Sequence, residues 1–423
     1  MSEIYLYQGF EHSPVDISIG DSLPFTYILF NQKADAKCIE LISHRDYVKL
    51  QCNYYIGLDW IVPGKSAIYV SPKLNKQSQE TDYLKMLFSC MKHPDIAKHA
   101  DDLCEIKFDD PYIKINQKQD LITPLLIIRY LQILKSIVRK GLKKSYYRVE
   151  KNLSSKIKGK VVVAKTLKQN ILKNKPTHTI CNYEEFGVNC LENKILKYAL
   201  RFVEKYLCTY PQFSSYFLPI INFCTPAFNE VDESDIDVHS IKKVTINTFF
   251  KEYKEALDVA EMILKRFGYN LKEVDKQTEQ NVRVPPFWID MPKLFELYVL
   301  GLLKDRYGSQ IYFQAKGNYG EPDFLLITDR EKVIIDTKYK MRYQQEEYYA
   351  DDIRQICGYA RDRKILKRFG YETPEQQNVV VDCLIIYPDQ TVSEELPLNI
   401  KEYEINQFTQ FYKVAIKLPT LNI

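Results

Sequence analysis

The alternation of apolar and polar positions divides the chain into three stretches of different rhythm. In the first, apolar residues come in short runs rich in aromatic and β-branched types, at Phe25–Asn31, Tyr47–Ile56 and Ser66–Ser71, parted by turn residues such as Pro63-Gly64. That pattern predicts strands, with one short helix over Leu84–Met91. From Leu121 to Leu142 the period becomes helical: Leu125, Ile128, Leu131, Leu134 and Val138 recur at helical spacing, and Gly141 stands near the end. Further helices are predicted over Leu191–Tyr206 and Phe249–Phe267, strands at Tyr146–Glu150 and Lys160–Ala164, and an acidic loop at Glu230–Asp237. The last third opens with a strongly apolar helix over Pro292–Tyr307, ending before Gly308. Three strand-like runs follow, Gln310–Ala315, Asp323–Ile327 and Val333–Thr337, then a polar helix over Glu346–Lys364 and a buried strand at Val379–Tyr387.

The order helix, three strands, helix, strand describes one α/β domain. The polar, aperiodic stretch around 270–285 reads as its boundary. The predicted class is therefore α/β (α+β, multi-domain). It comprises a β-rich N-terminal domain over 1–118, a basic and mainly helical middle domain over 119–275, and the α/β domain over 276–423.

Charge sharpens this picture through its distribution. The whole chain carries only +4, yet residues 129–175 hold fifteen Lys or Arg against the single acid Glu150, a balance of +14 that leaves about −10 elsewhere. Such density is the footprint expected for a nucleic-acid backbone, or for docking on an acidic protein. The candidates are Arg139, Lys140, Lys143, Lys144, Arg148, Lys156, Lys158 and Lys160. The most apolar stretch, Leu121–Leu134, is interrupted by Arg129 and Gln132 and falls short of the ~18 apolar residues of a membrane span. The N-terminus lacks the basic start and apolar run of a secretory signal, and ten scattered cysteines fit reduced thiols, so a cytoplasmic location is expected.

Two metal- or phosphate-like spacings are set aside. Gly64-Lys65-Ser66 would need a glycine at Asp59 to form a Walker loop, and a strand follows it where a helix should. Cys90, His93, His99 and Cys104 have a zinc-like spacing, but no second knuckle or glycine-rich turn supports it.

The chemistry concentrates in residues 321–340, EPDFLLITDREKVIIDTKYK. Asp323 opens one strand; Asp336 and Lys338, two apart on the next, share a face. A turn across Thr328–Lys332 would set the strands antiparallel and bring Asp323 beside Asp336. Converging carboxylates repel unless a divalent cation lies between them, and Mg²⁺ suits an oxygen site, with Mn²⁺ as the alternative ion. Lys338 could then orient or deprotonate the attacking water and offset charge on a phosphate. The plain alternative is a surface hairpin with an exposed Asp–Lys pair, but the apolar run Val333-Ile334-Ile335 should carry Asp336 into the core.

This P-D…D-x-K pattern resembles the PD-(D/E)xK nuclease superfamily. The superfamily implies a metal set of Asp323, Asp336 and the Thr337 backbone carbonyl, with Glu296 of the apolar helix either joining it or pairing with a nearby cation. Gln355 and Tyr359, one turn apart on the following helix, resemble its supporting pair. The series FWIDMPKLFELYV, QAKGNYGEPDFLL, VIIDTKYK and DIRQICGYA is similar to the McrC family of restriction nuclease subunits. So are KIKGKVVVAKTLKQN, CNYEEFGVNCLENKILKYAL and the N-terminal GLDWIVPGKSAIYVSPKL. One departure is Asn189, where the family pattern leads one to expect Asp.

The resemblance implies a Mg²⁺-dependent DNA endonuclease in antiviral defence. Its partner would be a McrB-like AAA+ GTPase hexamer that binds the N-terminal part, with GTP entering only through that partner. Its substrate would be double-stranded DNA carrying 5-methylcytosine, or an unmodified site as in the related LlaJI type. Other readings are an adaptor that stimulates the GTPase without cutting, and a stand-alone repair nuclease.

Overall fold

The computed structural model describes residues 4–17, 27–31, 33–43, 48–74, 80–91, 93, 96, 99, 102–107, 110–116, 122–209, 211–232, 251–273, 281–340, 350–392, 396–397 and 400–420. The chain forms two compact units: residues 1–117 together with 280–423, and residues 118–279.

The first unit begins with β1 (Tyr5–Phe10), β2 (Pro14–Asp16), β3 (Tyr27–Leu29), β4 (Lys37–Ser43), β5 (Val48–Cys52), β6 (Tyr55–Val62) and β7 (Ser66–Ser71). The single run predicted over Tyr47–Ile56 is thus two strands. Helix α1 (Tyr83–Met91) and strands β8 (Cys104–Ile106) and β9 (Ile113–Asn116) follow. Strands β2-β5-β4-β3 make one antiparallel sheet, packed through Val15, Ile28, Ile39 and Leu50 on Ile61, Ile68 and Val70 of β6 and β7.

The second unit holds α2 (Ile122–Lys140), β10 (Ser145–Ser154), β11 (Lys160–Val161), α3 (Val163–Gln169), β12 (His178–Gly187), α4 (Leu191–Thr209), α5 (Pro211–Cys224) and α6 (Lys251–Glu273). The strand predicted over Lys160–Ala164 stops at Val161, and the chain turns into α3. Strand β12 pairs along its whole length with β10 and was not foreseen. Nor was α5, whose Pro219 lies inside the helix where it reads as a breaker. Most of the acidic loop, residues 233–237, lies outside the described residues. Asn189 meets its own local need, donating to Asp232 Oδ2 at 2.6 Å and accepting from its backbone N–H at 2.9 Å. No described helix is long and apolar enough to cross a membrane.

The chain then returns to the first unit with β13 (Asn281–Val284), which pairs with β9, and β14 (Phe287–Asp290). β14 is fully buried and completes a sheet of order β1-β7-β6-β14-β8. Trp288 sinks into the N-terminal core and donates to Asp59 Oδ2 at 2.7 Å. Gly57 permits this docking, because a Cβ there would stand 2.0 Å from the Phe287 carbonyl oxygen. Gly57→Ala should therefore cost more than about 2 kcal/mol, since backbone must move to relieve the overlap. Chemical denaturation of the two proteins measures it.

From β14 the chain enters α7 (Met291–Tyr307), capped by the Asp290 carboxylate, which accepts from Lys293 N–H at 3.0 Å. Gly308, at φ +57°, ends the helix. Strands β15 (Ile311–Phe313), β16 (Phe324–Ile327) and β17 (Lys332–Thr337) form an antiparallel meander. After α8 (Ala350–Ala360) and α9 (Arg363–Arg368), strands β18 (Asp382–Pro388) and β19 (Phe411–Ile416) extend the sheet in parallel to the order β15-β16-β17-β18-β19. The single polar helix predicted over Glu346–Lys364 breaks because Asp362 caps a new one, accepting from Lys364 and Ile365 N–H; residues 341–349 lie outside the described residues. Alternate residues on the strands face opposite ways: Leu325, Ile334 and Ile385 pack on Ile356 and Ile365 of α8 and α9, whereas Leu326, Ile335 and Leu384 line a cavity with Leu303 of α7.

Candidate active site

The β16–β17 hairpin turns where Thr328 closes it, its N–H donating to the Glu331 carbonyl at 2.9 Å and its hydroxyl accepting from Glu331 N–H at 2.8 Å. The register pairs Phe324 with Ile335 and Leu325 with Ile334, so one step further Asp323 stands opposite Asp336. Thr337 fastens the pair. Its N–H and its hydroxyl each donate to Asp323 Oδ2 at 2.6 Å.

Asp336 is 2% exposed and forms an ion pair with Lys338. Burial pushes its carboxyl up to about 7, the negative charge of Asp323 adds to that, and the Lys338 ammonium only partly opposes it. Asp323 is raised to about 6 by burial and by Glu296, against the pull of Thr337 and Lys338. Glu296, reaching in from α7, is itself raised by burial and by Asp336, and accepts from Gln314 Nε2 at 3.1 Å. Gln314 does this from a left-handed backbone, φ +45°, while its own N–H donates to the Asp323 carbonyl at 2.9 Å. That conformation costs a non-glycine residue roughly 1 kcal/mol.

Lys338 is held from the other side by α8. Its Nζ donates to Gln355 Oε1 at 2.9 Å, and Gln355 Nε2 donates to the Tyr359 hydroxyl at 2.9 Å. Burial alone would lower the ammonium, but Asp336 and Asp352 hold it above its usual value. The buried Asp352 also binds Lys340 Nζ at 2.8 and 2.9 Å. The chain of contacts therefore runs Asp336, Lys338, Gln355, Tyr359, with Asp323 tied to the same strand through Thr337. Among the described residues, no three His, Cys, Asp or Glu side chains form a ready metal cage, and this includes Cys90, His93, His99 and Cys104. Two buried carboxylates, Asp336 raised by the charge of Asp323 and Asp323 by that of Glu296, are nonetheless an oxygen pair that a hard dication would relieve.

Three neighbours of the site were not legible in the sequence: Gln314, Asp352 and Asp362. Asp362 tethers the loop 317–320 that leads to Asp323, accepting from Asn318 N–H at 2.6 Å and Asn318 Nδ2 at 2.9 Å. Burial pushes its carboxyl up, but these and the α9 N–H groups outweigh burial and hold it below its usual value. Gly320, at φ +115°, lies where a Cβ would sit 3.1 Å from the Tyr359 ring. Asp362→Ala should destabilise the protein by about 1–3 kcal/mol, through the lost cap and the freed loop. Urea unfolding monitored at the aromatic residues would read this.

The eight basic residues singled out in the sequence, Arg139 to Lys160, all lie in the second unit. Arg139, Lys140, Lys144, Arg148, Lys156, Lys158 and Lys160 are exposed. Lys140, Arg148 and Lys158 have acidic neighbours, Glu252, Glu184 and Glu185. Lys143 differs: its side chain is 13% exposed and bound to Glu192 at 2.6 Å, so it serves the interior of its own unit.

The sequence pattern of the family described as McrBC 5-methylcytosine restriction system component matches residues 50–368. No curated protein matches the chain. Among solved structures, it is similar to a half-complex of the tetradecameric assembly of Thermococcus gammatolerans McrB AAA+ hexamers with bound McrC. That match has 13% identity and a TM-score of 0.43, and covers 97% of this chain and 94% of the other. A cryo-EM structure of the Thermococcus gammatolerans McrBC complex matches at 13% identity and a TM-score of 0.29, covering 73% and 89%.

Proposed function

Because the chain belongs to the family of McrBC 5-methylcytosine restriction system components, we propose that it is the subunit of such a system that cuts DNA. The observation that carries this reading is the buried pair Asp323 and Asp336, mutually repelling and flanked by Lys338. A pair of acids buried at such cost is hard to account for by stability alone.

Asp323 and Asp336 would hold Mg²⁺, or Mn²⁺ in its place, with Glu296 and the Thr337 backbone carbonyl beside them. Bound there, the ion would polarise the scissile phosphate and lower the pKa of water. Thr337 keeps Asp323 oriented through two hydrogen bonds. Lys338, aimed by Gln355 and Tyr359, places its ammonium where it can orient the attacking water and stabilise charge on the phosphate oxygens. The exposed cations of the second unit would meet the DNA backbone or the partner. The partner would be a McrB-type AAA+ GTPase in the cytoplasm, which supplies GTP hydrolysis that this chain stimulates and brings in DNA with modified cytosines.

Plasmid cleavage by the wild-type chain tests this, with and without the proposed partner GTPase, GTP and Mg²⁺, on cytosine-methylated and unmethylated DNA. The proposal expects cutting of methylated DNA that requires all three additions. Cutting by the chain alone would point to a stand-alone nuclease. No cutting under any condition, with GTP hydrolysis still stimulated, would point to an adaptor.

A further inference from the structure

Strand β17 ends at Thr337, and Lys338, Tyr339 and Lys340 follow it in a tight turn, with the Lys340 N–H donating to the Lys338 carbonyl at 2.7 Å. Lys338 and Lys340 reach Gln355 and Asp352 on α8. Tyr339 points the other way, 5% exposed, with its ring 5.7 Å from that of Phe295, the neighbour of Glu296. Two residues from the first seventy-five of the chain grip it there. Lys73 Nζ donates to the Tyr339 backbone carbonyl at 2.7 Å and lies 3.7 Å from the centre of its ring. Glu11 accepts from the Tyr339 hydroxyl at 2.6 Å and from the Lys73 N–H at 3.0 Å.

Glu11 is 0% exposed and Lys73 8%. Burying both an acid and an ammonium is expensive, and apolar residues of similar volume usually close such a joint at no loss of stability. Their geometry suggests a different use. Hydrogen bonds at both the carbonyl and the phenol of Tyr339 restrain its backbone and its side chain together. Lys338 and Lys340 flank Tyr339 directly and are joined across it by their own backbone hydrogen bond, so restraining Tyr339 restrains both neighbours.

We infer that Lys73 and Glu11 are positioning residues for the cutting site: they lock Tyr339 so that Lys338 and Lys340 stay aimed at Asp336 and Asp352. The N-terminal sheet is then part of the nuclease as well as a surface for a partner. This rests on the nuclease reading for its kinetic consequence, but not for its structural one.

The test compares wild type, Tyr339→Phe, Lys73→Met and Lys73→Arg in the full complex with the GTPase, GTP, Mg²⁺ and methylated plasmid. Tyr339→Phe keeps the ring and its packing, so it probes the grip without emptying the core. Misplacing a catalytic group by about 1 Å can cost ~10²-fold, so kcat per folded molecule should fall about ten- to a hundredfold in Tyr339→Phe and Lys73→Met, with KM little changed. Lys73→Arg, which still donates, should recover part of the rate. Hydrogen exchange is read on the same proteins: the amides of 338–340 should exchange faster in Tyr339→Phe while those of β16 do not. Folded variants with wild-type kcat and wild-type exchange would overturn the inference. If the wild type itself does not cut, the nuclease reading falls and the exchange data alone decide this one.

Discussion

Metal-free protein carrying Asp336→Asn should unfold at a higher temperature than the wild type near pH 8, and the difference should shrink as the pH is lowered. An ordinary aspartate titrates near 3.9 when the chain is unfolded. In the folded protein Asp336 is raised to about 7 by burial and by Asp323, and Asp323 to about 6 by burial and by Glu296. The folded state therefore binds protons more tightly than the unfolded chain between about pH 4 and pH 7. Stability from this site falls as pH rises through that window, and the full cost is present above it. For Asp336 alone that cost is on the order of 4 kcal/mol. Losing the partner of Lys338 returns some of it, so a net gain of about 1–3 kcal/mol is expected, or roughly 1–3 °C for a protein of this size. Differential scanning fluorimetry in chelator at several pH values reads this directly. Adding Mg²⁺ should raise the wild-type midpoint above pH 7 and leave Asp336→Asn where it was.

Lys338→Met should lower DNA cleavage by about 10²–10³-fold, the usual loss when one preorganised group facing transition-state charge is removed. GTP hydrolysis by the proposed partner should persist, because the half-buried Lys338 side chain is engaged by Asp336 and Gln355 within the site. At Mg²⁺ concentrations that do not saturate the site, the small rate that remains should have an optimum at higher pH. Without the ammonium, metal-free Asp336 loses the cation that opposes the push of burial and Asp323, so its carboxylate forms later in a titration. Lys338→Arg should not rescue, since a planar guanidinium cannot take the compact place between Asp336 and Gln355. Single-turnover cleavage from pH 6 to pH 9 measures both effects.

How much of this was legible in the sequence depends on distance along the chain. Asp323, Asp336 and Lys338 fall within one hairpin, and a period of two plus one tight turn suffices to place them together. Helix α7 announced itself through an apolar run between Pro292 and Gly308. The pairing of Gln355 with Tyr359 is one helical turn. What escaped depends on tertiary contact. Lys73 and Glu11 lie 266 and 328 residues from Tyr339, and no local pattern marks a lysine that will be buried. Phe287–Asp290 lies outside every strand predicted from the sequence, yet it is the strand that joins the C-terminal part to the N-terminal sheet. Pro219 hid a helix because surrounding contacts override its breaking tendency. Asp362 looked like one more polar residue in a long helix, whereas its carboxylate starts a new helix and holds a loop at once.

The central claim is that the acids of this hairpin cut DNA, and one comparison tests it most directly. Wild type and Asp336→Asn are each assembled with the GTPase, GTP and Mg²⁺ on methylated plasmid, and DNA cleavage and GTP hydrolysis are followed in the same tube. The account predicts that Asp336→Asn is folded, stimulates GTP hydrolysis as the wild type does, and leaves the plasmid intact. Cleavage by Asp336→Asn at the wild-type rate would contradict it and place the cutting elsewhere.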